Sequence, residues 1–285
     1  MTKPRVTVVI PVGPTVDPSF LEDTLASVDY YVASPRRLVL VDDSDRPGLC
    51  QSLPHARGAT ILPARARGVG GGLYLNLSAG FQAALQEPFD VLLRMDTDAL
   101  VIGGGFEDAA MDFFRSHPRA GCLGPYKWDY DGTPDDHVWA RKELLRQITT
   151  GWCRKPITAA AVTRLVALAL LHGYELGEMV DGGVCIYSRS AIETLYANRL
   201  LGHSRLARTR LTEDFQFGLA LRASGMELSD FGSESDTLPI GSRWQGLAAS
   251  PEDLIKAKKC LIHSTRFWQD IDETAIRSYF AKRRV

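Results

Sequence analysis

The sequence predicts an α/β protein with a mainly parallel sheet flanked by helices. Short apolar, β-branched runs alternate with helix-periodic segments through the first half of the 285 residues. Three of those runs end in Gly- or Asp-rich loops, at Val12-Gly13, Asp42-Asp43 and Asp96-Thr97-Asp98. Parallel sheets bind ligands beyond the carboxyl ends of their strands, which is where these loops fall.

Val6 to Val12 is continuous, β-branched and closed by Gly13-Pro14, as a buried strand should be. Asp17-Pro18 starts a helix, with Asp17 as cap and Pro18 in the first turn; Leu21, Leu25, Val28 and Val32 give it one apolar face. Leu38 to Val41 and Ala59 to Leu62 read as the next strands. A glycine turn, Gly68 to Gly72, leads into a helix from about Leu73 to Gln86. Val91 to Met95 is a fourth strand and Phe106 to Arg115 a further helix. In the second half, Tyr126 to Trp139 reads as a loop, Val184 to Tyr187 as a strand, and Arg189 to Asn198 and Thr212 to Ala223 as helices. Ser250-Pro251 caps another helix, and Cys260 to Ile262 forms a last strand before His263. With no repeat or linker, the chain reads as one continuous domain: a nucleotide half over 1–125 and an acceptor half over 126–285.

Charge and cysteine usage narrow the function classes. The formal net charge is -1, from 33 Lys+Arg against 34 Asp+Glu, which argues against a strong whole-protein attraction to nucleic acid or acidic lipid, and against nucleic acid as a partner. Five scattered cysteines form no CxxC pair and no zinc spacing, so they read as reduced thiols of a cytoplasmic protein. No run reaches the length of a membrane span. The nearest, Ala159 to Leu171, is interrupted by Arg164 and reads as a buried helix.

The acidic pairs carry the chemistry. Asp96 and Asp98, one residue apart at a strand end, can hold a hard divalent cation, Mn2+ or Mg2+, that bridges nucleotide phosphates; a plain capping loop is the alternative. Asp42 and Asp43 can accept hydrogen bonds from a base or ribose, or form a solvated turn. The glycine turn can bring backbone N–H groups to phosphate, but it is neither a dinucleotide fingerprint, since Leu73 stands where a glycine is needed, nor a P-loop. Glu213-Asp214 opens a helix. It is either a favourable charge on the helix dipole or a general base facing an acceptor hydroxyl.

Taken in order, these segments resemble the family 2 glycosyltransferases, which have the Rossmann-like GT-A fold and invert configuration. The likeness runs from about residue 6 to 225, through Pro11, Leu40 to Ser44, the glycine turn with Asn76, Leu92 to Asp98, Gly182-Gly183 and Thr212-Glu213-Asp214. It implies donor contacts from Pro11, Val12, Gly13, Asp42, Asp43, Gly71, Asn76, Asp96, Thr97 and Asp98. It further implies metal on Asp98 with Asp96 nearby, Asp214 as catalytic base with Glu213 beside it, and an acceptor contact at Gly182-Gly183. His263 is similar to a C-terminal histidine that some such enzymes bring to the metal or diphosphate. The implied partners are a nucleotide-sugar, UDP-linked by preference, and a hydroxyl acceptor that is a saccharide, a lipid-linked molecule or a small natural product.

Two departures qualify the likeness. Leu75 replaces an arginine common before the asparagine, so that role is vacant or falls to Arg65, Arg67 or Arg94. Of the Gln-x-x-Arg-Trp signature of processive synthases only Arg243-Trp244 remains, with Ile240 in place of the glutamine. Arg243 is expected at the diphosphate and Trp244 at the acceptor sugar, though core packing suits Trp244 equally. Trp128, Tyr130, Trp139 and Trp152, with Asp129, Asp131, Asp135 and Asp136, form either a sugar-stacking lid or a structural insertion. The tail from Arg277 to Arg284 is either a solvated helix or a peripheral membrane contact, and a homodimer is compatible with the sequence. The rival functions are a sugar nucleotidylyltransferase and a non-catalytic nucleotide-sugar-binding protein.

Overall fold

The structure is a computed structural model and describes residues 3–134, 137–232, 239–243 and 245–284. Asp135, Asp136 and Trp244 lie outside the described residues. In the first half, β1 (Val6–Val12), α1 (Pro18–Tyr31), β2 (Arg36–Asp42), α2 (Leu49–Ser52), β3 (Thr60–Pro63), α3 (Gly71–Ala84) and β4 (Val91–Met95) alternate as the hydrophobic pattern requires. Asp17 accepts from the Ser19 N–H at the start of α1, which buries Leu21, Leu25 and Val28. Then come β5 (Ala99–Val101), α4 (Phe106–Ser116), β6 (Ala120–Gly124), α5 (Val138–Ile148), α6 (Gly151–Arg154) and α7 (Pro156–Leu171). The chain continues through β7 (Val184–Ser188), α8 (Arg189–Ala197), a short turn at Leu206–Arg208, α9 (Glu213–Ala223), β8 (Glu227–Asp230) and β9 (Ile240–Ser242). It closes with α10 (Pro251–Lys256), β10 (Leu261–His263), β11 (Phe267–Trp268), β12 (Ile271–Asp272) and α11 (Glu273–Ala281).

Seven strands form the central sheet in the order β3-β2-β1-β4-β7-β6-β8, flanked by helices. Every neighbouring pair is parallel except the two that β7 makes, with β4 and β6. Reversing one strand has a functional consequence. The amino end of β7, at Gly182-Gly183, lies at the same sheet edge as the carboxyl ends of β1, β2 and β4. A second sheet, β5-β10-β9, sits beside that edge; its register pairs His263 with Ala99, the residue after Asp98. One core cluster packs residues from both halves, including Val9, Tyr74, Phe81, Phe215 and Phe217.

Several sequence expectations are corrected. The segment read as a loop to Trp139 is helical from Val138, because Ala140 and Leu144 bury one face of α5 in that core. The strand β6, of sequence AGCLG, lacks a β-branched residue and gives no strand signal, yet all five residues are buried. The apolar helix α7 is only half-buried. Val162, Leu165, Val166 and Ala169 face the core, while Ile157 and Leu171 are 62% and 80% exposed. The basic tail is not wholly solvated, since α11 buries Ile276, Arg277 and Phe280, while Lys282 and Arg283 are exposed.

Candidate active site

The site is built where β4 ends. Asp96, Asp98 and His263 bring one ligand atom each to within 4.8 Å of one another. His263 Nε2 lies 3.4 Å from Asp98 Oδ1, and its Nδ1 lies 3.5 Å from Ser242 Oγ. The hydroxyl on the far nitrogen orients the ring toward the carboxylates. Asp98 Oδ2 is buried and takes part in no hydrogen bond among the described residues, although Arg266 Nε forms an ion pair with it at 2.8 Å. Burial pushes the Asp98 carboxyl up, but the His263 hydrogen bond and the His263 and Arg266 charges outweigh it, so the pKa falls well below the ordinary range. Burial likewise disfavours charged His263, and its bond to Asp98 reverses that and raises the imidazole.

A buried carboxylate oxygen without a hydrogen bond, a second carboxylate and an imidazole fit a divalent cation. Two hard oxygens with one nitrogen are compatible with Mn2+ or Mg2+. Arg266 occupies the open side of Asp98, and its side chain is 63% exposed, so it is free to turn toward a bound anion.

Beneath these residues lies Arg94, on β4 and fully buried. Its guanidinium pairs with Asp96 Oδ1 at 3.1 Å, Glu213 Oε1 at 3.2 Å and Asp214 Oδ1 at 2.9 Å. One planar fork therefore ties the metal-type cluster to the first turn of α9. Arg94 was a candidate nucleotide contact; its Nη1 and Nη2 instead donate to carboxylates of the protein itself, while Nε has no partner among the described residues. Of the other two candidates, Arg65 bonds Gln82, while Arg67 sits at Asp43 and Asp45, in the corner where β2 ends.

Glu213-Asp214 has the helix-dipole placement that one of its readings expects. The two acids open α9, where the helix dipole favours them, and they also reach the cluster through Arg94. Burial raises Glu213 well above its ordinary 4.5, reinforced by the Asp214 charge and only partly offset by Arg94. Burial also raises Asp96, against the pull of Arg94 and His263.

Gly182 and Gly183 are small because the site is crowded. A Cβ on Gly182 would stand 2.2 Å from both Arg94 Nη1 and Asp214 Oδ1, and one on Gly183 2.3 Å from the His263 ring. Gly183 also has φ +84 and accepts a 2.7 Å hydrogen bond from the Asp96 N–H. The loop carrying Thr97 is held from below: its carbonyl accepts from Thr24 Oγ1 at 2.9 Å and from Arg277 Nη2 at 2.7 Å. Thr265 donates both its N–H and its hydroxyl to the Asp98 carbonyl.

Several expected donor contacts turn out to be structural. The Val12 side chain is in the core, and its carbonyl accepts from the Asp43 N–H. Asp42 Oδ1 caps the Ser44 N–H, the solvated-turn geometry, although the residue keeps its place at the strand end. Asn76 is buried and uses its amide on the Arg65 and Ala66 backbone, so it clamps the loop before α3 and does not face a ligand. Gly71 is pressed against the Ala207 carbonyl, where a Cβ would come within 1.9 Å. Pro11 is half-buried, and Gly13 has open space beside it. Arg243 is exposed, and its N–H bonds the His263 carbonyl. Trp128 is paired with Pro134 in an isolated bridge. Trp139 and Trp152 are carried instead on α5 and α6.

Sequence reasoning missed Arg266, Thr265, Ser242 and the anchoring role of Arg277. None stands in a motif, and each reaches the site only through the β5-β10-β9 sheet or α11. A cavity of about 870 Å³ opens at the opposite sheet edge, beside Ser34 to Leu38 and Gly58 to Thr60, and shares no residue with this site.

No family model matches the sequence, and no curated protein matches it. Among solved structures, the chain is similar to the mannosyltransferase PcManGT from Pyrobaculum calidifontis in complex with GDP-Man and Mn2+. The identity is 16% and the TM-score 0.44, over 81% of this chain and 55% of that one. The chain thus spans a little over half the length of that neighbour.

Proposed function

We propose that the chain is an inverting, metal-dependent glycosyltransferase of GT-A type that moves a sugar from a nucleoside-diphosphate donor, UDP-linked by preference, to an acceptor hydroxyl. One observation carries the reading: Arg94 joins Asp214 to the Asp96-Asp98-His263 cluster at the strand ends. A base for the acceptor and a cation site for the donor phosphates therefore share one edge of the sheet.

In this reading the base and ribose rest in the corner between Gly13, Asp42, Asp43 and Arg67. Asp96, Asp98 and His263 hold Mn2+ or Mg2+; when bound, the cation offsets the charge that the departing nucleoside diphosphate gains. Arg266 and Arg243, both exposed beside His263, turn to the phosphates. Arg94 holds Asp214 Oδ1, leaving Oδ2 to accept the acceptor proton. The deprotonated oxygen then attacks the anomeric carbon opposite the leaving group. Glu213, whose carboxyl burial raises well above its ordinary value, limits the negative charge around Asp214. The Trp128 turn borders the acceptor side.

The test is turnover across a panel of nucleotide-sugars with and without Mn2+, preceded by thermal-shift ranking of donors. Asp214→Asn should bind the selected donor normally and lose transfer by about 10²–10⁴-fold. Near-full turnover in that variant would remove Asp214 as the base. Binding without turnover in the wild type would favour a non-catalytic protein, and diphosphate release from a nucleoside triphosphate plus sugar phosphate a nucleotidylyltransferase.

A further inference from the structure

The helical segment between β6 and β7 has an outer surface that the site does not use. From Val138 to Tyr174 the sequence carries Arg141, Lys142, Arg146, Arg154, Lys155 and Arg164 against a single acid, Glu143, in a chain whose net charge is -1. The positive charge is therefore concentrated in one insertion. Its apolar residues are equally uneven. On α7, Ile157, Ala160, Arg164, Leu168 and Leu171 recur at spacings of three and four and are all exposed, forming a stripe opposite the buried face. A helix apolar on both sides is ordinarily buried; this one is covered on one side only. Trp139 and Leu145 on α5 and Trp152 on α6 are exposed on the same helical layer. Where α5, α6 and α7 meet, a pocket of about 100 Å³ is lined by Arg146, Arg154, Lys155 and Arg210 and by no carboxylate.

We propose that this α5–α7 face docks on a bilayer rich in anionic phospholipid. The outer stripe of α7 and Trp152 enter the headgroup–acyl boundary, and the four-cation pocket takes a lipid phosphate. Apolar side chains interleaved with arginine and lysine, and tryptophan at the margin, are the composition of an interfacial helix. Charge decides against the other occupants. A second copy would set the same cations against themselves. A nucleic acid would satisfy the cations and leave the α7 stripe in water. The basic C-terminal helix is no rival surface, because Arg277 and Arg284 are spent on Asp23. The docked face lies close to the site, since Lys155 Nζ donates to the Arg208 carbonyl, just upstream of Glu213 and Asp214. The proposal stands whether or not the site transfers sugar.

Co-sedimentation with phosphatidylcholine–phosphatidylglycerol vesicles, compared with phosphatidylcholine alone, tests it. The wild-type chain should sediment with the anionic vesicles and be released by salt. Arg154→Gln with Arg164→Gln should weaken binding about thirtyfold, from about 1 kcal/mol per cation at an anionic surface. Ile157→Ser with Leu171→Ser should weaken it as well, at unchanged charge. Lys282→Gln with Arg283→Gln should leave it intact. Thermal melts of each variant establish that it is folded. The proposal is overturned if anionic lipid gives no gain over phosphatidylcholine, or if folded variants of either α7 pair bind like wild type. Wild-type self-association that the Ile157/Leu171 pair abolishes, without vesicle binding, would assign the face to a second copy.

Discussion

At the scale of single residues, Arg94 decides the electrostatics. A guanidinium buried among Asp96, Glu213 and Asp214 is tolerable only because each of them lies within 3.2 Å. Arg94→Met should therefore destabilise the fold by about 3–5 kcal/mol at neutral pH, because it leaves buried carboxylates uncompensated. Acid should soften the loss, since Glu213 and Asp96, whose carboxyls burial raises, can then protonate. Urea titrations at about pH 5 and pH 8 check both halves of that expectation. Glu213 gives a prediction of its own. Its folded pKa is raised, so the folded state holds a proton that the unfolded state releases above about 4.5. Its contribution to stability is greatest below that value and falls as pH rises toward the folded pKa. Glu213→Gln should remove this slope, so the gap in unfolding free energy between variant and wild type widens in the variant's favour as pH rises. A constant gap from pH ~5 to ~8 would count against a protonated Glu213.

Among the elements, the Asp96-Thr97-Asp98 loop is rigid because three elements remote in sequence grip it. Thr24 on α1 and Arg277 on α11 hold the Thr97 carbonyl, and Thr265, after β10, holds that of Asp98. Arg277 also binds Asp23 and Glu273, so one buried side chain docks the last helix on the first and supports the loop between them. Arg277→Met should lower the melting temperature and also weaken Mn2+ binding, although residue 277 is no ligand. Calorimetric titration of a variant that is still folded at the working temperature separates the two effects. Unchanged Mn2+ affinity would mean that the loop keeps its shape without Arg277.

The molecule as a whole should be more stable with a bound cation than without it, because the ligands come from the loop after β4 and from β10, and are together only when the chain is folded. At Mn2+ about a hundredfold above its dissociation constant, the gain is about 2.7 kcal/mol. Chelation should reverse it, and Asp98→Asn should abolish the Mn2+-dependent gain, on top of a metal-independent loss of stability from its broken pairs with His263 and Arg266. A melting temperature indifferent to Mn2+ would refute the cation site directly.

The sequence by itself determined the alternating layers of the first half, from β1 through β4, because buried strands and amphipathic helices write their own periods. It also determined that Asp42-Asp43, Asp96-Asp98 and the Val12-Gly13 loop share one edge, because parallel strands put their carboxyl ends together. It marked Glu213-Asp214 locally, as an acidic pair opening a helix, but His263 and Gly182-Gly183 only by likeness. Tertiary structure alone decided the rest. That β7 runs backwards, bringing Gly182-Gly183 to the edge, depends on strand pairing across more than eighty residues. That Arg94 gathers three carboxylates, that Asn76 and Gly71 serve the loop and not a ligand, and that Arg277 lies inside are all long-range contacts. A charged side chain reads the same in sequence whether it meets water or a buried partner, and only the folded chain supplies the partner.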